Sequence, residues 1–355
     1  MSYLSSALAM QPGLQLRGVR ISGEPRSDDP SDGFEWPIDD IPLTKGALTT
    51  FYRRQRAQLG ALVRQYRPDI IHAQGVDVEG LLAVGSGIRA VVTVHGVLSE
   101  TARYKSGFRN RARATLTAIV TERRTIRRAK DVIAITPYIT SHYARQIQGR
   151  IHDIPNAVAP GFFEIVRRPE SGRLLFAGRV SRNKGVMDLV YALARCREPR
   201  PFVIAAGACP EEKYKAKVQR ESRRLRIAPN IEFVGLLSES ALMQEFARAE
   251  ALLLPSYQET APMVIQQAMA AGLPVIASRV GGVPDQVEDG ITGLLFTPGD
   301  VEGLSEAIER LRADPFALAR MSEAARHVAI SKYRASKVAD ATRAVYEIIL
   351  NEPRR

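Results

Sequence analysis

Pro255-Ser-Tyr-Gln-Glu-Thr-Ala-Pro-Met-Val-Ile-Gln-Gln-Ala-Met-Ala-Ala-Gly-Leu-Pro-Val-Ile-Ala277, with the apolar Ala251–Leu254 just before it, reads as buried strand, polar turn, helix and second strand. Pro262 suits the first helical turn, where its missing N–H is not needed. The turn holds Glu259, and the helix carries Gln267 eight positions on. Thr260, Ala261, Met263 and Val264 bring backbone N–H groups to the helix start. Unpaired amides and the positive end of the helix dipole make such a place fit for an anion. A carboxylate and an amide side chain stand beside it, both able to bond hydroxyls.

The same strand–helix alternation extends outward in both directions. Upstream, strands are expected at Leu14–Ile21, Asp69–His72, Ala90–Val94, Asp131–Ile135 and Ile151–Ile154. A break follows at Asn156-Ala-Val-Ala-Pro-Gly161 and a polar stretch runs to Gly172. Strands resume at Leu174–Ala177, Pro201–Ala205, Ile231–Val234, Ala251–Leu254, Pro274–Ala277 and Leu294–Phe296, with helices such as Gly185–Arg195 and Ser238–Arg248 between them. Repeated β-α units imply parallel sheets covered on both faces. Two sets around one break imply an α/β protein of two Rossmann-like, doubly wound domains facing across a cleft. The expected domains are 1–160 and 161–334. A final helix within 335–355, with Val338, Ala341, Val345 and Ile348 on one face, is expected to pack back on the first domain.

The start departs from that scheme. A doubly wound domain opens on a strand and a tight turn, whereas Met1–Met10 is helix-like and precedes the strand at Leu14. The first strand would be central in the sheet, so its absence would leave neighbouring ladder groups unpaired. The expectation is a chain truncated at its N-terminus or given a misassigned start.

Composition is that of a globular protein: 355 residues, 45% hydrophobic and 25% charged. No run reaches the roughly 20 apolar residues of a membrane span, and no basic-start signal peptide is visible. Cys196 and Cys209 have neither metal nor redox spacing, which suits reduced thiols in a cytoplasmic protein. The net charge of +12 is uneven. Arg103, Lys105, Arg109, Arg111, Arg113, Arg123, Arg124, Arg127, Arg128 and Lys130 face a single acid, Glu122, across 101–130. With Leu116, Ile119, Val120 and Ile126 interspersed, the stretch predicts a long basic amphipathic helix. It suits an anionic membrane surface, or is simply a solvated basic face. No nucleic-acid motif accompanies it.

A second motif, Phe176-Ala-Gly-Arg-Val-Ser-Arg-Asn-Lys-Gly185, ends one strand and opens a helix. Gly178 admits close backbone approach, Arg179 offers a planar fork for phosphate oxygens and Lys184 adds a point charge. Taken alone, it is equally a βα turn with two surface cations.

Together these segments resemble the retaining glycosyltransferases of family 4, which have the GT-B fold. The resemblance rests on Gly178-Arg179, Lys184-Gly185, Glu259 through Met269, and Val280-Gly-Gly-Val-Pro-Asp-Gln-Val-Glu-Asp-Gly-Ile-Thr-Gly-Leu-Leu-Phe296. It covers the second half closely. In the first half it rests more loosely on Arg67–His72, Val91–Gly96, Ile133–Thr136 and Ile154–Val158. It implies that Arg179 and Lys184 bind the donor diphosphate and stabilise the leaving group. It implies that Glu259 and His95 contact the donor sugar, and that Gly281 and Gly282 keep the adjoining loop open. No cofactor and no metal are implied, the nucleoside-diphosphate sugar being a substrate. The acceptor would be a saccharide or lipid-linked saccharide, in cell-surface polysaccharide or glycolipid synthesis at the inner face of the membrane.

The chain departs from the family pattern in two places. Gln267 stands where the family has a second glutamate, and the Gly-rich turn after the first strand is absent. Two other functions therefore stand beside the transferase: a catalytically inactive nucleotide-sugar-binding subunit, and a nucleotide-sugar epimerase of the same fold.

Overall fold

The computed structural model describes residues 2–22, 37–44, 46–104 and 107–353. The chain divides into two compact units, one formed by Met1–Ala157 with Ala335–Arg355, the other by Val158–Arg334.

In the second unit the strands are β7 (Arg173–Ala177), β8 (Phe202–Ala206), β9 (Ile231–Gly235), β10 (Ala251–Leu254), β11 (Val275–Ser278) and β12 (Gly293–Phe296). They form one parallel sheet in the order β12-β11-β10-β7-β8-β9. The chain starts at the central β7, builds outward to β9, then returns to the other side of β7. β10 and β11 are buried at every position, which explains their unbroken apolar sequences. The helices Val186–Arg195 and Val301–Ala313 cover one face, with Leu189, Leu193, Leu304 and Ile308 fully buried against alternate strand residues such as Leu174, Phe176, Val203 and Ala205.

The first unit carries β1 (Gly18–Ser22), β2 (Ile38–Pro42), β3 (Ile70–Ala73), β4 (Arg89–Val94), β5 (Asp131–Ala134) and β6 (Arg150–Asp153). β3-β4-β5-β6 form a four-stranded parallel sheet. One face is closed by the helices Ser2–Ala9 and Ala335–Asn351, whose Leu8, Val338, Val345 and Ile349 bury against Val91, Ile133 and Ile154. Met1, the first residue of the expected opening helix, lies outside the described residues.

Four expectations need correction. On the final helix Ala341 and Ile348 are exposed, and the packed face is formed by Val338, Ala339, Val345, Tyr346 and Ile349. The first strand begins at Gly18, not Leu14; Leu14 and Leu16 instead pack as partly buried residues against the helical face. β2 has no counterpart in the sequence reading, because Ile38-Asp-Asp-Ile-Pro42 is too polar to announce a strand. Its acids are neutralised from β1 and the residue before it, Asp39 by Arg17 at 2.7 Å and Asp40 by Arg20 at 2.8 Å. The basic segment is two helices rather than one, Leu98–Ala102 and Phe108–Arg128, the second entered through Gly107 at φ 81°. Lys105 lies outside the described residues.

Among the described residues β1 and β2 pair only with each other, and no strand joins β1 to β3. β3 is correspondingly half-buried over Ile70–His72, while β5 is buried throughout.

Candidate functional site

The site of the second unit grows from β7 and β10, which are neighbours in the sheet but lie far apart in the chain. Each ends in a loop that enters a helix, Val186–Arg195 after β7 and Met263–Ala271 after β10. The order of strands reverses between β7 and β10. In open parallel sheets that reversal opens a crevice at the carboxyl ends of the strands.

Gly185 holds the two loops together. It enters its helix at φ 66°, a left-handed conformation that costs glycine nothing. A Cβ there would lie 1.8 Å from the Pro255 carbonyl oxygen. Only the absence of a side chain lets the β7 turn rest on the end of β10. The contact is reinforced where the Tyr257 amide donates to the Asn183 carbonyl at 2.8 Å. Lys184 then reaches the Glu259 carboxylate in a close ion pair, and Ser256 Oγ donates to Glu259 Oε1 at 2.8 Å. Glu259 is buried, and Lys184 keeps less than a fifth of its side chain exposed.

One ammonium proton bonds Glu259, and two remain for other acceptors. Arg179 follows β7 with an exposed guanidinium, beside the half-exposed Gly178. Thr260 and Ala261 precede the helix, with Met263 and Val264 in its first turn and Gln267 one turn further along, all half-exposed. The loop after β11 closes this side, its Gly282 amide donating to the Glu259 carbonyl at 3.3 Å. Gly281 sits at φ 50° in the same loop. Within the second unit, then, the residues expected to bind the donor lie on the loops at this end of the sheet or, for Met263, Val264 and Gln267, in the first two turns of the helix that follows. The sequence reading missed Ser256, Asn183 and Tyr257. Ser256 adjoins Pro255, and polar residues at a strand end were the available signal.

His95 belongs to the first unit, directly after β4. Its Nε2 lies 2.9 Å from Gln74 Oε1. Gln74 Nε2 lies 3.0 Å from His72 Nε2, which is also 2.6 Å from Thr93 Oγ1. His72 Nδ1 meets the Tyr346 hydroxyl at 2.6 Å. Burial pushes His72 down to about 3 and His95 down to about 4, so both rings are neutral at pH 7. His72 and Gln74 are two positions apart at a strand end. That period places both on one side of the sheet and was the signal for this network.

Among the described residues no cluster of His, Cys, Asp or Glu converges in the manner of a metal site. No described helix is long and apolar enough to cross a membrane.

Residues 162–328 match the family described as glycosyl transferases group 1, and residues 19–162 match glycosyltransferase family 4. The chain belongs to the group 1 glycosyltransferases. A glycogen synthase of Mycobacterium tuberculosis is 37% identical over 184 residues, covering 51% of this chain and 44% of that protein. The match thus spans less than half the length of this curated relative. The sucrose-phosphate synthase structure from Thermosynechococcus elongatus superposes with a TM-score of 0.79 at 22% identity, covering 98% of this chain and 91% of that one. Anabaena Alr3699/HepE, solved with UDP-glucose, superposes with a TM-score of 0.68 at 20% identity, covering 88% and 86%. The fold is the GT-B fold of these glycosyltransferases, with Rossmann-like α/β units.

Proposed function

We propose that the chain is a retaining glycosyltransferase that takes its sugar from a nucleoside-diphosphate donor. The observation that carries this reading is the gathering of Arg179, Lys184 and Glu259 on the β7 and β10 loops, beside two helix N-termini. A structural neighbour solved with UDP-glucose supports the choice of donor. In this reading Arg179, Lys184 and the helix amides hold the diphosphate, and Glu259 and His95 bond the sugar.

The anomeric C–O bond to the diphosphate breaks, and its electron pair leaves on the phosphate oxygen. An acceptor hydroxyl attacks the same face, and its proton passes to that departing oxygen. Arg179 and Lys184 stabilise the charge that develops, a task worth roughly 10²- to 10³-fold in rate for a well-placed donor. The chemistry needs no divalent metal.

The acceptor is a saccharide or lipid-linked saccharide, and the protein works peripherally at the cytoplasmic face of a membrane. The helix Phe108–Arg128 supports that placement. Ala118, Thr121, Glu122, Thr125 and Ile126 bury its C-terminal half, and Glu122 accepts from Ser99 through both its amide and its hydroxyl. Its single acid is therefore inside. Outside lie Phe108, Leu116 and Ile119, with Arg111 and Arg113 on either side of that stripe. Apolar side chains rimmed by arginine fit an anionic bilayer.

A panel of nucleotide sugars, offered with lipid-linked acceptors while released nucleoside diphosphate is measured, tests the activity. The R179A/K184A variant is expected to lose transfer; an active double variant overturns the donor-site reading. Strict dependence on Mg²⁺ or Mn²⁺ overturns the metal-independent chemistry. Gln267 favours one second reading, a nucleotide-sugar-binding subunit without turnover. Calorimetric donor binding with no product under any acceptor would select it.

A further inference from the structure

We propose that Gln74 is a positioning residue that sets the tautomer of His95, and that it is itself oriented by His72 and Tyr346. The proposal rests on His95 contacting the donor. It adds that His95 does so as a hydrogen-bond acceptor through Nδ1.

Gln74 Nε2 donates to His72 Nε2, so that ring nitrogen carries no proton. A neutral His72 therefore has its proton on Nδ1, where it donates to the Tyr346 hydroxyl oxygen. The Thr93 hydroxyl lies 2.6 Å from the same Nε2 and shares its one lone pair. With its amide nitrogen committed to His72, Gln74 turns its carbonyl oxygen toward His95. An oxygen of that kind only accepts, so His95 carries its proton on Nε2. Its Nδ1 then holds the lone pair, and that is the atom the proposal assigns to a sugar hydroxyl; the Asn156 side chain also hydrogen-bonds the ring.

The chain of bonds starts on the C-terminal helix Ala335–Asn351 and ends one residue beyond β4, wholly within the first unit. Each group along it has one role open to it once its neighbour is set. This is the way an outer partner fixes the tautomer of a working histidine.

The test uses the full chain labelled with ¹⁵N-histidine, reading each ring by proton–nitrogen correlation at pH 7.5. Wild-type His95 is expected as the Nε2–H form. Q74L should turn it into a mixture and lower kcat about 10- to 100-fold, the cost of a misplaced group near the reacting atoms, with donor KM changed far less. Q74E retains an acceptor toward His95 and should retain the Nε2–H form. A wild-type His95 protonated on Nδ1, or a Q74L chain with an unchanged His95 signal, overturns the proposal. Y346F, which keeps the ring in the core and removes the terminal acceptor, gives the same reading if Q74L does not fold: an unchanged His72 signal overturns the proposal. H95A separates the two claims, because full turnover in that variant removes His95 from the reaction and leaves the tautomer result standing.

Discussion

The Lys184–Glu259 pair has two roles in one contact. It is the ligand-facing pair of the proposed donor site, and it also holds the β7 and β10 loops together. Lys184 keeps less than a fifth of its side chain exposed, so removing Glu259 strands its charge. E259A is expected to cost roughly 3 kcal/mol of stability to chemical denaturation. The K184A/E259A double variant should recover part of that loss, the sign of true coupling. Strict additivity in the cycle would show the pair to be structurally inert. His72 and His95 give a second prediction. Above pH 6.5 both rings are neutral whether folded or unfolded, and stability does not depend on them. Below 6.5 only the unfolded rings take up protons. Stability then falls, by up to about 1.4 kcal/mol per pH unit for each ring, until the folded rings titrate near 4 and 3. Thermal unfolding from pH 7 to pH 5 measures it. H72Q, compared with the wild type, should show a shallower fall, the carboxylates contributing equally to both. An identical slope in the two chains contradicts the assignment.

At the scale of elements, Gly185 is the position on which the site geometry depends. G185A forces a left-handed residue to carry a Cβ and drives it into the Pro255 carbonyl. A loss of about 2–4 kcal/mol is expected, with donor affinity falling further as the two loops part; a wild-type melting curve for G185A would refute this. Much of the element structure was legible in sequence. β10 was read at Ala251–Leu254 and found there, because a strand buried on both faces has to be continuously apolar. β2 was not legible, since Asp39 and Asp40 look like loop residues until Arg17 and Arg20 are beside them. The break between Ala102 and Phe108 escaped notice because charge composition does not change across it. Arg179, Lys184 and Glu259 were each visible as motif residues. Their assembly through Gly185, Asn183 and Tyr257 was not, because contacts between distant segments leave no local pattern.

At the scale of the whole molecule, parallel α/β sheets were legible from β-α alternation, whereas the strand order β12-β11-β10-β7-β8-β9 of the second unit was seen only in the structure. The β1–β2 pair standing apart from β3 had no sequence signal beyond the unusual opening. The arginine-rich helix belongs to this scale too. Vesicles containing acidic phospholipid should retain the protein at low salt and release it as salt rises, because exposed charges are screened. F108S/L116S/I119S should weaken retention without altering the melting temperature, as all three side chains are exposed. Equal retention by neutral vesicles, or by the triple variant, would remove the membrane from the account.

The chain enters and leaves its second unit at one place. The Val158 amide bonds the Tyr333 carbonyl at 2.9 Å, and Val158 bridges Arg334. The first unit, meanwhile, needs Val338, Val345 and Ile349 to close its core. Synthesis on the ribosome therefore delivers the two in a fixed order. Residues 158–334 have all their strands before the helix that completes the first unit has been made. The early part of the chain waits, its sheet open on one face, until the last residues emerge. A ribosome stalled after residue 334 should carry a protease-resistant second unit and a protease-sensitive first one.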